Sequence, residues 1–317
     1  MKISLKNGIL ALFVTLFCNC SVLKKSWDNL NVFPVQQDID LGNQVAAEIL
    51  SNPDEYPIVP VAGNEAVYSY TNGIVKKILA TNLVDYSRDF SWNIHIINDP
   101  KTLNAFCTPG GNIYIYTGLM SFLDSEDQFA GVIGHEMAHA ANRHSTKQLT
   151  KSLGVQLLLD AALGNKDVVK QVTGALVNLS FSRAHETQAD SFSVKYLCLT
   201  GLKANGASGF FKKIEGQPTP PQWLSTHPSP TNRVKAIDSK ALELGCKGKE
   251  DNKSNYEKIK SLIASIPVLP TKAKTADGSN KAPSLPNSTP SKDKKEDKAP
   301  PSTTNTKPTN KVLKKGK

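Results

Sequence analysis

The stretch Ser125-Glu126-Asp127-Gln128-Phe129-Ala130-Gly131-Val132-Ile133-Gly134-His135-Glu136-Met137-Ala138-His139 decides the reading of this chain. Ser125 followed by Gln128 has the form of an N-terminal capping box, and the acids between them suit a helix dipole. Phe129, Val132, Ile133, Met137 and Ala140 then give one apolar helical face. On such a helix His135 and His139 project from one side, about 40° apart. Two imidazoles so arranged can reach one zinc ion, with Glu136 between them placed to take a proton from a bound water. The small residues Ala130, Gly131, Gly134, Ala138, Ala140 and Ala141 predict close packing against another element. The helix is expected to continue past His144, which would then face about half a turn away from His135. His144 is accordingly read as a structural or surface histidine.

A third ligand must come from elsewhere. Arg183-Ala184-His185-Glu186-Thr187-Gln188-Ala189-Asp190 opens a second amphipathic segment, expected to run to about Thr200. Glu186 and Asp190, four residues apart, share one helical face. Alone they read as a solvated acidic face. With the upstream histidine pair, Glu186 becomes a candidate zinc ligand and Asp190 a candidate acceptor for the far nitrogen of a ligating histidine. His185 points about 100° from Glu186 and is not counted as a ligand.

Further motifs follow in order: Asn104-Ala105-Phe106, Pro109-Gly110-Gly111 with Ile113-Tyr114, the histidine motif, Ser182-Arg183 with Glu186 and Asp190, then Thr226-His227-Pro228 with Arg233. This series resembles the zinc metallopeptidases of the CAAX-prenyl-protease and HtpX/Oma-like group (metallopeptidase family 48, gluzincins), over roughly residues 37–245. The resemblance implies one zinc ion on His135, His139 and Glu186, with Glu136 as general base. It also implies endopeptidase activity on proteins and a compact, mostly helical fold with a small sheet. Asn104, Ala105 and Phe106 are implied near a sheet edge able to take substrate as an added strand. Cys107 departs from the small apolar residue found in many relatives. His227, in a proline-bounded loop, is a candidate either for stabilising the oxyanion or for filling the fourth zinc position. Arg233 is a candidate source of positive charge for the same intermediate.

The fold class expected is α+β dominated by helices, as a gluzincin-like domain over 37–247 with two zinc-ligand helices. Phe90–Ile97 and Asn112–Tyr116 read as strands, and Gln36–Asn52 and Glu65–Leu83 as helices. Lys2, Lys6 and the apolar run Gly8–Phe17 read as a signal peptide over 1–19. Leu16-Phe17-Cys18-Asn19-Cys20 resembles a relaxed bacterial lipobox with Cys20 lipidated, and 20–36 would be a tether. Plain secretion or an uncleaved anchor is the alternative. Ser21 after Cys20 favours the outer membrane. In an oxidising envelope Cys198 and Cys246 are a plausible bridge, the alternative being three buried reduced cysteines.

The net charge of +10 is deceptive. Residues 271–317 hold twelve lysines and four acids, and the rest of the excess lies in Lys2 and Lys6. The charge therefore does not argue for a nucleic-acid partner. After a short helix at Asn255–Ile266, the Lys/Pro/Ser/Thr-rich tail lacks the apolar content to fold. Two functions follow. One is a lipid-anchored zinc endopeptidase of the periplasm acting on unfolded or misassembled envelope proteins. The other is a chaperone-like zinc lipoprotein whose peptidase is silent or latched.

Overall fold

The computed structural model describes residue 31 and residues 33–215, 221–228 and 232–268. The expected leader over 1–19, Cys20, all of the 20–36 tether except residue 31 and residues 33–36, and the 271–317 tail lie outside the described residues. The order of elements is α1 (Val35–Ser51), α2 (Glu65–Leu79), β1 (Ile94–Ile97), β2 (Ala105–Cys107), β3 (Ile113–Tyr116), α3 (Thr117–Phe122), α4 (Glu126–Ala141) and α5 (His144–Leu153). Then come α6 (Val155–Ala162), α7 (Lys166–Val177), α8 (Arg183–Leu197), α9 (Gly206–Glu215), α10 (Trp223–Thr226), α11 (Arg233–Glu243) and α12 (Lys253–Ala264). The fold is mostly helical with one small sheet, and among the described residues no helix is long and apolar enough to cross a membrane.

The sheet order is β1-β3-β2. β3 runs parallel to β1 (Ile94 opposite Ile113) and antiparallel to β2 (Ala105 opposite Ile115). Successive residues of a strand face opposite sides. Ile113 and Ile115 accordingly join one core with α2, α4, α8, α9, α11 and α12, whereas Tyr114 and Tyr116 join another with α1, α5, α6 and α7. A sheet covered on both faces has no room for a polar residue on β3, which explains its four buried positions. Beyond β1, Ile58 pairs antiparallel with Ile97, so β2 forms the other edge. The strand expected over Phe90–Ile97 starts only at Ile94, because Trp92 has a positive φ of 48° that interrupts extended pairing.

α4 carries the histidine motif through the centre of the larger core, and the small residues on it permit that. A Cβ on Gly131 would lie 2.4 Å from the Ala207 nitrogen of α9. On the α8 side, the Ser193 hydroxyl donates to the Gly131 carbonyl at 2.8 Å. The capping box is only partly formed. Ser125 is the N-cap, but its hydroxyl donates to Asp127, and Gln128 accepts from the Asp124 N–H instead of returning to Ser125. Glu126 is occupied by Tyr70, Lys77 and Asn252, which tie α2 and the start of α12 to this helix.

α4 also ends sooner than its sequence suggests. Arg143 adopts a left-handed conformation (φ 55°), and a new helix starts at His144. That conformation is unfavourable for a side chain with a Cβ and is held by distant contacts. The Arg143 guanidinium donates to the buried Asp38 carboxylate and to the Phe33 carbonyl, and Thr146 donates to Asp38 at 2.7 Å. Helix α12 buries Tyr256, Ile259 and Ile263 in the larger core, and its Tyr256 hydroxyl donates to the Met120 carbonyl at 2.6 Å. Cys198 and Cys246 form a disulfide joining the end of α8 to the region after α11, while Cys107 is free and buried.

Two outcomes test this frame. Asp38→Ala removes the buried acceptor of the partly buried Arg143 guanidinium and of Thr146 and should lower stability by about 1–3 kcal/mol in urea unfolding. For Glu126, burial would raise the pKa, but Lys77, Asn252 and Tyr70 hold it below 4.5. A folded-state pKa below the unfolded one gives stability above the unfolded value that is lost as pH falls through the folded value. Glu126→Gln should therefore destabilise at neutral pH, and the gap from the unchanged chain should close as pH drops below 4.5.

Candidate metal centre

One turn of α4 and the first turns of α8 meet face to face. His135 and His139 point their Nε2 atoms together, 3.0 Å apart, and Glu186 closes the third side. Its Oε2 lies 3.5 Å from His135 Nε2 and its Oε1 3.3 Å from His139 Nε2. Ser182 caps α8 by accepting from the His185 N–H, which fixes where the helix begins and so which way Glu186 faces. His227 completes the group. One ligand-type atom from each of His135, His139, Glu186 and His227 lies within 4.8 Å of all the others, and all four residues are buried.

Hydrogen bonding leaves this group unfinished. Both Glu186 oxygens, both Glu136 oxygens and His227 Nε2 are buried without a hydrogen-bond partner. Burial of polar atoms that make no hydrogen bond is costly, so a cluster aimed at one point fits a cation at that point. Two imidazoles and a carboxylate are also the donor set of a hydrolytic zinc site with one position left for water. His135, His139 and Glu186 would hold the ion.

Behind the donors lies a second layer of charge. Asp190 Oδ1 is 3.0 Å from His135 Nδ1, as its place one turn after Glu186 suggests. Arg233 grips Asp190 with Nε and Nη2 at 2.7 and 2.8 Å, and its Nη1 is 3.0 Å from Glu186 Oε2. Arg233, expected to supply positive charge to a reaction intermediate, is turned toward the carboxylates of α8. Its guanidinium is 1% exposed, lies against the Phe211 ring, and is spent on the two carboxylates of α8. Burial would raise the Asp190 pKa, but Arg233 and His135 hold it below the ordinary value. Burial would likewise raise that of Glu186, yet His227, His135 and His139 hold it well down. Burial would lower the His135 pKa, but Asp190 and Glu186 bring it up to about 9. For His139 burial prevails, and the value falls to about 3.

Glu136 lies on the same turn, with its Oε1 3.3 Å from His227 Nε2. His227 stacks on Trp223 (4.0 Å between ring centres), and its Nδ1 is 2.9 Å from the Thr226 hydroxyl. The segment carrying it meets the head of the edge strand, where the Trp223 N–H donates to the Leu103 carbonyl and Thr226 to the Asn104 side chain. Asn104, Ala105 and Phe106 are thus beside the site, all buried. Burial and the neighbouring Glu136 carboxylate push the Cys107 thiol well up, which disfavours its thiolate form.

His144 lies outside the donor group, as its structural reading expects, but the helix expected to run past it does not continue. The break at Arg143 turns it back, so that it is fully buried with Nδ1 3.0 Å from His139 Nδ1. Sequence reasoning also missed Phe181, stacked on His139 at 3.9 Å, and Trp223. Asn142, a residue type that ends helices, was the available signal for the break.

A helix-borne pair of histidines with a glutamate from a later helix defines the metal-dependent hydrolase class. The family model described as peptidase family M48 matches residues 70–241. Among relatives, the mitochondrial metalloendopeptidase OMA1 of Schizosaccharomyces pombe is 32% identical over 177 residues, 53% of this chain and 51% of that protein. Human OMA1 is 28% identical over 190 residues, covering 52% and 36% of the two chains. A putative beta-barrel assembly-enhancing protease of Vibrio cholerae is 26% identical over 193 residues, covering 55% and 39%. The chain spans from about a third to about half the length of the curated relatives it matches. The chain belongs to peptidase family M48.

Asp190→Asn removes the charge that orients His135. Zinc affinity should fall by about 10–100-fold in competition with a chelating dye.

Proposed function

We propose that this chain is a zinc-dependent endopeptidase of the bacterial cell envelope that hydrolyses unfolded or misassembled envelope proteins. The observation carrying the reading is the buried convergence of His135, His139, Glu186 and His227 beside Glu136, with carboxylate oxygens that accept no hydrogen bond. A zinc ion bound there supplies Lewis acidity, acidifying water and polarising a carbonyl. Glu136 takes the proton of the attacking water and delivers it to the leaving nitrogen. Asp190 and Arg233 keep His135 and Glu186 in place while this occurs. An extended substrate would lie along the outer edge of β2, with backbone hydrogen bonds near Asn104, Ala105 and Phe106 that tolerate many sequences.

The address rests on sequence and relatives. Lys2, Lys6, Gly8–Phe17 and Cys20 support export with a lipid anchor, and Ser21 favours the outer membrane. Relatives named for enhancing β-barrel assembly in Vibrio cholerae and Yersinia pestis support substrates among envelope proteins.

A second reading, a peptidase held silent, is favoured by His227 being the fourth member of the donor group. Purified full-length chain should carry one zinc and cleave unfolded casein. Glu136→Gln should keep the zinc and lose about 10²–10⁴-fold in cleavage rate. His227→Ala separates the two readings: faster cleavage marks a latch, and slower cleavage marks a residue needed in the reaction. Absence of zinc from the unchanged chain would overturn the assignment.

A further inference from the structure

His144 and Gln188 lie outside the donor group, yet they form one hydrogen-bonded line with it. His139 Nδ1 is 3.0 Å from His144 Nδ1, and His144 Nε2 is 3.1 Å from Gln188 Oε1. Gln188 Nε2 donates to Asn142 Oδ1 at 2.9 Å, and Asn142 Nδ2 donates to the Ala138 carbonyl at 2.8 Å. The line leaves α4, crosses to α8 and returns to α4 one residue before His139.

Its direction follows from its far end. A backbone carbonyl only accepts, so Asn142 must turn its amide nitrogen to Ala138 and its oxygen to Gln188. Gln188 then gives its nitrogen to Asn142, leaving its oxygen for His144. An oxygen acceptor requires a proton on His144 Nε2, and neutral His144 therefore presents a bare Nδ1. That lone pair can be met only by a proton on His139 Nδ1. The Nε2 of His139, the atom facing His135 and Glu186, is left with its lone pair free. Ring planes leave little other freedom. His185 stacks on His144 at 4.3 Å and 11°, and Phe181 covers His139 at 3.9 Å.

We infer that His144 and Gln188 are positioning residues that fix the tautomer of His139, so that its Nε2 faces the metal as a bare donor before any ion arrives. The inference rests on the zinc reading of the site. The two ligand histidines are thereby served differently. His135 leans on a carboxylate, Asp190, and His139 on a neutral ring, which orients it without adding a second buried charge.

The direct test is a long-range proton–nitrogen NMR correlation on the zinc-free full chain at neutral pH. His139 should carry its proton on Nδ1 and His144 on Nε2. A proton found on His139 Nε2 overturns the inference. The second test is zinc affinity by dye competition, with melting of the zinc-free protein alongside. His144→Leu removes the acceptor and should weaken zinc binding about 10–100-fold. His144→Asn offers an oxygen near the lost Nδ1 and should recover most of that loss. Gln188 is exposed, so Gln188→Leu should leave melting unchanged while zinc binding weakens several-fold. Equal zinc affinity in the unchanged chain, His144→Leu and Gln188→Leu overturns this inference alone. An unchanged chain that takes up no zinc overturns the site reading and this inference with it.

Discussion

Two carboxylates buried on one helix set the terms for the rest of the molecule. Glu186 and Asp190 face α4 from within the core, and an uncompensated charge in such a place would cost several kcal/mol. Arg233 answers both, so α11 must lie against α8. The histidines answer them from the other side, so α4 must lie there too, at a distance that the absence of a side chain at Gly134 allows. The larger core is the apolar filling around this polar arrangement. A buried ionic group of this kind adds little to net stability, but it tolerates only one relative placement of three helices.

The same reasoning explains the smaller core. Helix α1 buries Leu41, Val45 and Ile49, and its Asp38 reaches the turn between α4 and α5. That contact holds Arg143 in its left-handed conformation and thereby returns His144 toward the site. A residue more than a hundred positions earlier in the chain thus governs the surroundings of a donor histidine.

The elements that carry the site were largely legible because their geometry is local. Spacing by four on a helix placed His135 with His139, and Glu186 with Asp190, and the alternating β3 residues announced a strand. Legibility stopped where a distant partner decides the outcome. Asn142 hints at a break before Arg143, but the left-handed turn itself depends on Asp38, which no local pattern shows. Arg233 reads as a free cation until Asp190 is seen beside it. α6 and α7 follow breaks at Gly154 and Gly164, both at φ 86°, and their apolar faces acquire meaning only against α1 and the tyrosines of β3. Leader, lipidation site and tail rest on composition and motif alone.

The disulfide ends this chain of dependence in a different way. Cys198 and Cys246, separated by 48 residues, enclose α9, His227 and Arg233 in one covalent ring. By loop-closure entropy such a ring contributes on the order of 4 kcal/mol. It also changes what damage means. A single cut inside the ring leaves both fragments bonded to each other, and a cut before Arg233 leaves Glu186 on one fragment with Arg233 tethered to it through sulfur. One nick in this region therefore cannot detach Arg233 from the carboxylates of α8.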